Sequence, residues 1–280
     1  MNAGAGVPAV SPFILVRSAG EMASAVAWRL YMANMRRICM LDLDNPLCVR
    51  RQVSFCTAFE SGSVVVEGVE GVAARGWSDV EAAWAARNIA VVRTTDWERM
   101  EARAPDVLID AVLAKRNLGT RKDQAGLVIA LGPGFEAGKD CHLVIETNRG
   151  HNLGRIIASG GAEPNTHVPG AISGHTTARV LRAPAAGVFE TVRSIGDSVG
   201  RNDVVGHVAG EPVTAQLDGM LRGLIRPGTT VRAGLKLGDI DPRGKREYCD
   251  TISDKGRAIA GAVLEGVMRY LNKPAGSAEC

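Results

Sequence analysis

The sequence predicts an α/β protein in two parts: an α/β domain, then a small β barrel, closed by a C-terminal helix. Three observations predict it. Residues 13–44 run apolar strand, glycine turn, amphipathic helix, apolar strand, acid. Residues 183–208 and 215–240 repeat one pattern at an offset of 32 residues. Residues 254–271 carry apolar positions at helical spacing behind a capping Ser253-Asp254. The expected boundaries are 13–175 for the α/β domain, 176–243 for the barrel and 244–272 for a helix returning to the first domain. Flexible ends are expected at 1–12 and 273–280.

Composition limits the function classes. A chain of 280 residues is long enough for two ordinary domains. A hydrophobic fraction of 46% and a charged fraction of 22% describe a folded protein. The net charge of +3 lacks the basic stripe of a nucleic-acid binder. Six scattered cysteines without a CxxC pair signal neither a zinc site nor a disulfide framework. The opening "MNAGAGVPAVSP" has no charged, apolar leader, and the most apolar helix pattern, 22–35, is broken by Arg29. A cytoplasmic location is the expectation.

In the first third, 13–17 is an apolar strand and Ser18-Ala19-Gly20 a tight turn. Met22, Val26, Leu30 and Ala33 then keep helical spacing, and 38–43 is a second strand ending in Asp42. This order makes the unit Rossmann-like. Gly20 would open the helix N-terminus to a phosphate, and Asp42, 22 residues on, would bond a ribose hydroxyl. The turn holds one glycine, so a ligand-free βα turn accounts for it equally well. An NAD(P)-dependent oxidoreductase is the alternative reading this unit raises. Arg50 and Arg51 follow near the carboxyl end of the second strand, where guanidinium pairs suit phosphate; a solvated surface pair is the plainer reading. Strands are expected at 89–94 and 106–112, with a helix at 78–87 before them. Asp110, Lys115 and Asn117 cluster at or past the end of the second of these, a candidate polar site.

The stretch "LGPGFEAGKDCHLVIETNRGH", 131–151, concentrates glycines and ionisable groups. A strand at 126–131 runs into Gly132-Pro133-Gly134, a bent loop able to present backbone N–H groups to an anion. It lacks the lysine spacing of a P-loop. A further strand at 141–147 suggests a hairpin, with Lys139, Asp140, His142 and Glu146 at its mouth. Arg149 follows closely. His142 and His151 do not have metal-pair spacing, and no metal site is expected. The glycine- and proline-rich stretch 161–175 is the natural connector.

The repeat aligns Gly187 with Gly219, Gly196 with Gly228, Val199 with Val231, Gly206 with Gly238 and Val208 with Ile240. Short strands at this spacing imply a barrel with pseudo-twofold symmetry. It resembles the biotinyl/lipoyl-type half-barrel, a barrel-sandwich hybrid. Such carriers place a modifiable lysine at the central turn. Here the turn is "VAGEPVTA", 208–215, with no lysine, so no biotin or lipoate is expected. The barrel is expected to pack on the first domain or on a partner.

Taken together, "RSAGEMASAVAWRL", "RRQVSF", "VLIDAVLAKRNLGT", "IALGPGFEAGKDCHLVIETNRGHNLGR", "PNTHVPG", "RAPAAGVF", "KLGDIDPR" and "ISDKGRAI" resemble the YqeB-type family of selenium-dependent molybdenum hydroxylase accessory proteins. The first turn departs from that family's usual R-G-A-G-D-L at Ser18, Glu21 and Met22. The resemblance implies a place in molybdenum cofactor maturation and a hydroxylase apoenzyme and other maturation proteins as partners; a homo-oligomer is compatible with the sequence. It implies no particular reaction step. The cofactor, or its nucleotide form, is a phosphorylated pterin. On that reading Gly132 and Gly134 offer N–H groups, and Lys115, Lys139, Arg50 and Arg149 supply charge-assisted bonds. Cys141, beside Lys139 and Asp140, is the candidate for sulfur or selenium chemistry, against the plainer reading of a small buried hydrophobe. Asp239, Asp241 and Arg243 of "GDIDPR" either close a turn or face the site. A third reading is a non-enzymatic scaffold acting through the barrel.

Overall fold

The computed structural model describes residues 11–166 and 168–274; most of both expected flexible ends, 1–10 and 275–280, lies outside the described residues. The first part runs β1 (Phe13–Arg17), α1 (Glu21–Met32), β2 (Arg37–Asp42), α2 (Ala58–Ser61), β3 (Ser63–Val66), β4 (Val69–Ala74) and α3 (Trp77–Ala85). It continues with β5 (Ile89–Arg93), α4 (Thr94–Trp97), β6 (Val107–Asp110), β7 (Leu127–Leu131), β8 (Leu143–Ile145) and β9 (Ile156–Ile157). One nine-stranded sheet results, in the order β3-β4-β5-β2-β1-β6-β7-β8-β9. The strands from β4 to β8 pair parallel, and β3 and β9 edge the sheet antiparallel.

The continuous apolar runs of these strands follow from burial on both faces. In β1, Ile14 and Val16 enter one core, and Phe13 and Leu15 the other. In β7, Leu127, Ile129 and Leu131 face the first core, and Val128 and Ala130 the second. Because side chains alternate, a slip of one residue would exchange both sets. The second face is closed by α3 and an aromatic cluster in which Phe13 meets Trp77 and Trp84 at centroid distances of 5.8 and 5.4 Å.

The hairpin expected at 126–147 does not form. β7 and β8 are parallel, with Ile129 opposite Leu143. The chain leaves β7 at Gly132, crosses the sheet face through buried Phe135 and Ala137, and re-enters from the other end. The His142 N–H donates to Val128 O at 2.9 Å, near the start of β7. A parallel return needs a crossover, and apolar Phe135 and Ala137 let the irregular segment lie on the core.

The second part runs β10 (Val180–Arg182), β11 (Gly187–Glu190), β12 (Ser198–Val199), β13 (Val204–Val208), β14 (Glu211–Thr214), β15 (Gly219–Leu224), β16 (Thr230–Val231) and β17 (Lys236–Asp241). Two antiparallel sheets, β10-β17-β15-β12 and β14-β13-β11-β16, curl around one core. Shifting by the 32-residue repeat carries β11 to β15, β12 to β16 and β13 to β17, and lays β10 on β14, so the repeat exchanges the two sheets. The matched glycines keep one role. A Cβ on Gly206 would lie 2.5 Å from Glu190 O, and one on Gly238 2.6 Å from Gly223 O.

Two helices follow, α5 (Glu247–Asp250) and α6 (Asp254–Leu271). The Ser253 side chain caps α6, its Oγ accepting from Gly256 N at 3.2 Å. α6 returns to lie on α1, where a Cβ on Gly256 would sit 3.1 Å from Ala25 Cβ. The parts are clamped by the segment after β2. Arg51 Nε donates to Leu224 O at 2.9 Å, Leu224 N to Val49 O at 2.8 Å, and Arg226 pairs with Glu60 at 2.7 Å. Among the described residues no helix is long and apolar enough to cross a membrane.

Candidate functional site

The carboxyl ends of β1, β6, β7 and β8 face the second part across a cleft of about 580 Å³. Strand order reverses between β2 and β6 about β1, and open α/β sheets bind ligands outside their strand ends at such a point. Glu21 and Met22 enter the cleft from the start of α1, Leu113 and Lys115 from after β6, and Ser253 and Lys255 from the start of α6. Two of these residues hold left-handed backbone, Leu113 with φ 59° and Lys115 with φ 63°. Such conformations cost a side-chain-bearing residue on the order of 1–3 kcal/mol and persist where surrounding structure imposes them.

The glycine loop imposes this one. A Cβ on Gly134 (φ +105°) would lie 2.6 Å from Arg116 Cα and N. Only glycine lets the 115–116 backbone lie so close, and that placement sets Lys115 at the cleft. A Cβ on Gly132 would lie 2.5 Å from Thr147 Oγ1, a cleft residue. The Gly132 N–H is spent on Ile145 O at 2.8 Å, so the loop works as a cradle for its neighbours.

The cleft lining has seven cationic side chains against three carboxylates. Several cations are already engaged. Arg149 holds Asp254 through two bonds of 2.6 and 2.9 Å. Arg179 and Arg222 share Asp239 Oδ2 at 3.3 and 2.5 Å. The Lys115 and Lys255 side chains make no ion pair or hydrogen bond among the described residues. Lost hydration lowers the Lys115 ammonium from its ordinary pKa, with Glu146 opposing. Burial, then the positive charge of Lys115, lowers Lys255.

Of the residues singled out in the sequence, Lys115, Arg149 and Asp239 line the cleft, and Gly132 and Gly134 shape it. Gly20 is the N-cap of α1, its N–H taken by Ser18 Oγ at 3.1 Å. Asp42 turns onto the same turn, its Oδ2 accepting from Ala19 N at 2.6 Å. Asp110 is buried and accepts from Arg17 at 3.1 Å and Thr120 at 2.5 Å. Asn117 closes a turn with Thr120. Glu146 is buried, accepting from the N–H groups of Asn148 and Glu163 at 2.6 and 2.7 Å. Asp241 pairs with Arg243 at 2.6 Å, so "GDIDPR" both closes a turn and, through Asp239, faces the cleft.

Arg50, Arg51, Lys139, Asp140 and Cys141 do not line the cleft. Arg50 is buried and bonds Glu21 together with the carbonyls of Tyr248, Cys249 and Thr251. Lys139 is exposed and meets Glu136 at 3.4 Å; Asp140 accepts from Glu136 N at 2.9 Å. Cys141 is fully buried, and burial pushes its thiol up to about 12, against the thiolate expected from a neighbouring lysine.

Lys255, Lys236, Arg179, Arg182 and Arg222 are cleft residues that the sequence reading did not single out. One had a signal. Lys255 is the second residue of α6, where the helix dipole disfavours a cation. The others sit in or beside short strands whose edges only the folded repeat brings together.

A polar cleft at the carboxyl edge of a mostly parallel sheet, covered by curled antiparallel sheets, defines the class: a mixed α/β protein with a cleft between its two parts. The chain is 45% identical over 266 residues to the uncharacterized protein YqeB of Escherichia coli (strain K12), a match covering 95% of this chain and 49% of that protein. The chain spans about half the length of this curated relative. No protein-family model matches the chain. An aspartoacylase family protein from Mesorhizobium loti is 25% identical over 23% of each chain, with a TM-score of 0.21. The ectoine utilization protein of Ruegeria pomeroyi in its product-bound structure is 10% identical, covering 81% of this chain and 56% of that one, with a TM-score of 0.23. Neither likeness carries an argument about function.

Proposed function

We propose that the cleft binds a phosphorylated, anionic small molecule, and that the protein is an accessory factor in maturing selenium-dependent molybdenum hydroxylases. The cargo on this reading is the molybdenum cofactor or its nucleotide form. The observation that carries the binding reading is the pair Lys115 and Lys255, two cations in one cleft with no carboxylate bonded to either. Holding like charges together costs energy that an anion between them returns. A volume of about 580 Å³ suits a cofactor-sized ligand. The pathway rests on the resemblance of the motifs to the YqeB-type family.

The sheet reads as Rossmann-like on this proposal. Six of its seven parallel strands, β5-β2-β1-β6-β7-β8, follow the 3-2-1-4-5-6 order, with β4 added beyond β5. The antiparallel sheets read as a barrel-sandwich hybrid whose repeat exchanges them. The oxidoreductase alternative meets a turn already filled, because Asp42 bonds Ala19 N where a ribose would compete for it. The scaffold alternative would leave the two lysines without a purpose.

The test is mass spectrometry of small molecules that co-purify with the native protein, with elemental analysis for molybdenum and selenium. The Lys115→Ala/Lys255→Ala variant should lose a phosphorylated ligand, and its inorganic phosphate affinity should fall at least about tenfold, one charge-assisted bond being worth about 1.5–3 kcal/mol. Equal occupancy and equal affinity in both proteins would remove the site. As pH rises, wild-type affinity should be lost before the ordinary lysine range is reached, since both ammonium pKa values are lowered and a neutral amine does not hold an anion.

A further inference from the structure

The cleft has a second positive wall, on the antiparallel sheets. Arg182 of β10 lies directly opposite Lys236 of β17 in the strand register. Like charges placed opposite each other on antiparallel strands are destabilising. Arg182 spends one donor on Gly234 O at 2.9 Å, and the Lys236 side chain forms no ion pair or hydrogen bond among the described residues, although its charge acts on Asp239. Both line the cleft. Beside them, Arg179 and Arg222 are held by Asp239, the one carboxylate of this wall in the lining. Asp239 is 1% exposed, and its Oδ2 takes both guanidinium groups. Asp241, behind the lining, also meets Arg222 at 3.4 Å, so two carboxylates engage Arg179 and Arg222 while Arg182 and Lys236 pair with none. The facing wall carries Lys115, Lys255 and Arg149 against Glu21 and Glu163, and neither carboxylate is bonded to the two lysines.

We infer that the ligand carries two separated anionic groups, one held by Lys115 and Lys255 at the sheet edge and the other by Arg182 and Lys236 on the antiparallel wall. The second part of the protein is then half of the binding site. The inference rests on the anion-binding reading of the cleft and adds the ligand class, a bis-anionic molecule such as a bisphosphate. A single phosphate at the sheet edge would leave the opposed Arg182 and Lys236 unneutralised.

Calorimetric titration of the whole chain with inorganic phosphate, adenosine 5′-monophosphate and adenosine 3′,5′-bisphosphate tests it. The bisphosphate should bind about tenfold tighter than the monophosphate. Lys236→Ala should cut that preference below about threefold, and Lys236→Arg should restore it. The Lys236 side chain makes no hydrogen bond or ion pair among the described residues, so the variant should melt close to the parent; a melting curve checks this. Equal affinity for the two nucleotides in the wild type, or an undiminished preference in Lys236→Ala, overturns the bis-anionic ligand. In that case the cleft itself stands if Lys115→Ala still weakens phosphate binding. If Lys115→Ala/Lys255→Ala leaves phosphate affinity unchanged, the cleft reading falls and takes this inference with it.

Discussion

Two cationic segments leave the same edge of the sheet and serve different ends. The one after β2 carries Arg50, the one after β6 carries Lys115. Arg50 is 2% exposed, and its donors reach Glu21 and three backbone carbonyls. Those carbonyls belong to α5 and the turn that joins it to α6, so Arg50 ties the second part and the returning helix to the first. Lys115 has no such partner and faces Lys255 across a cleft. The difference lies in what the fold offers each cation. A guanidinium presents five donors in a rigid fork and is consumed where carbonyls converge. A lysine left beside another lysine keeps its charge for something else.

Removing each cation separates the two roles, and the largest effect belongs to Arg50. Arg50→Ala strips Glu21 and three carbonyls of their donor inside a packed junction. It should cost about 3–5 kcal/mol in urea unfolding, the range for breaking a buried charged contact. Lys115→Ala should change stability by less than about 0.5 kcal/mol, as a substitution with no bonded partner does. If the two variants unfold alike, the division into clamp and site is wrong.

Much of the fold was legible in the sequence because its signals are local. The strand–turn–helix–strand order of 13–44, the Ser253 cap and the 32-residue repeat each depend on neighbours in the chain or on a fixed offset. The site was legible only in part. Lys115 and Arg149 stood out because they sit beside turn residues. Lys139 and Cys141 stood out for the same reason, yet a crossover carries them away from the cleft edge, and alternation of side chains cannot distinguish a hairpin from a parallel return. Arg182 and Lys236 are 54 residues apart and meet only because the repeat exchanges its sheets. Nothing local marks such a pair.

The glycine loop sharpens the same contrast at a middle scale. Gly134 and Gly138 both have left-handed φ, +105° and +91°. A Cβ on Gly138 meets nothing within 4 Å, whereas on Gly134 it would strike the Arg116 backbone at 2.6 Å. Gly138→Ala should therefore cost only the backbone term, about 1–2 kcal/mol, with phosphate affinity intact. Gly134→Ala should cost more and also weaken phosphate binding, because the backbone that must move carries Lys115. A Gly134→Ala protein that binds phosphate normally would show that the loop does not position the lysine.

The smallest expected effect concerns Arg149, which stands between the two roles: it lines the cleft, yet it is held by Asp254. That bond keeps the Asp254 carboxyl at about 2, below the usual carboxylate range. A carboxylate lowered on folding stabilises the native state above its unfolded pKa of about 4. The contribution fades as pH falls toward 2, where the folded group also takes up its proton. The Asp254 side chain is 70% exposed, so solvent screens most of the gain and the slope should be shallow. Asp254→Asn should flatten the stability curve between about pH 4 and 2 without shifting it near neutrality. The same substitution frees the Arg149 guanidinium toward the cleft. Phosphate affinity in Asp254→Asn should therefore rise, by less than about threefold, since Arg149 is partly hydrated already. A fall in affinity would mean that Arg149 serves the site only while Asp254 aims it, which would move it from the ligand's partners to the frame that holds the cleft open.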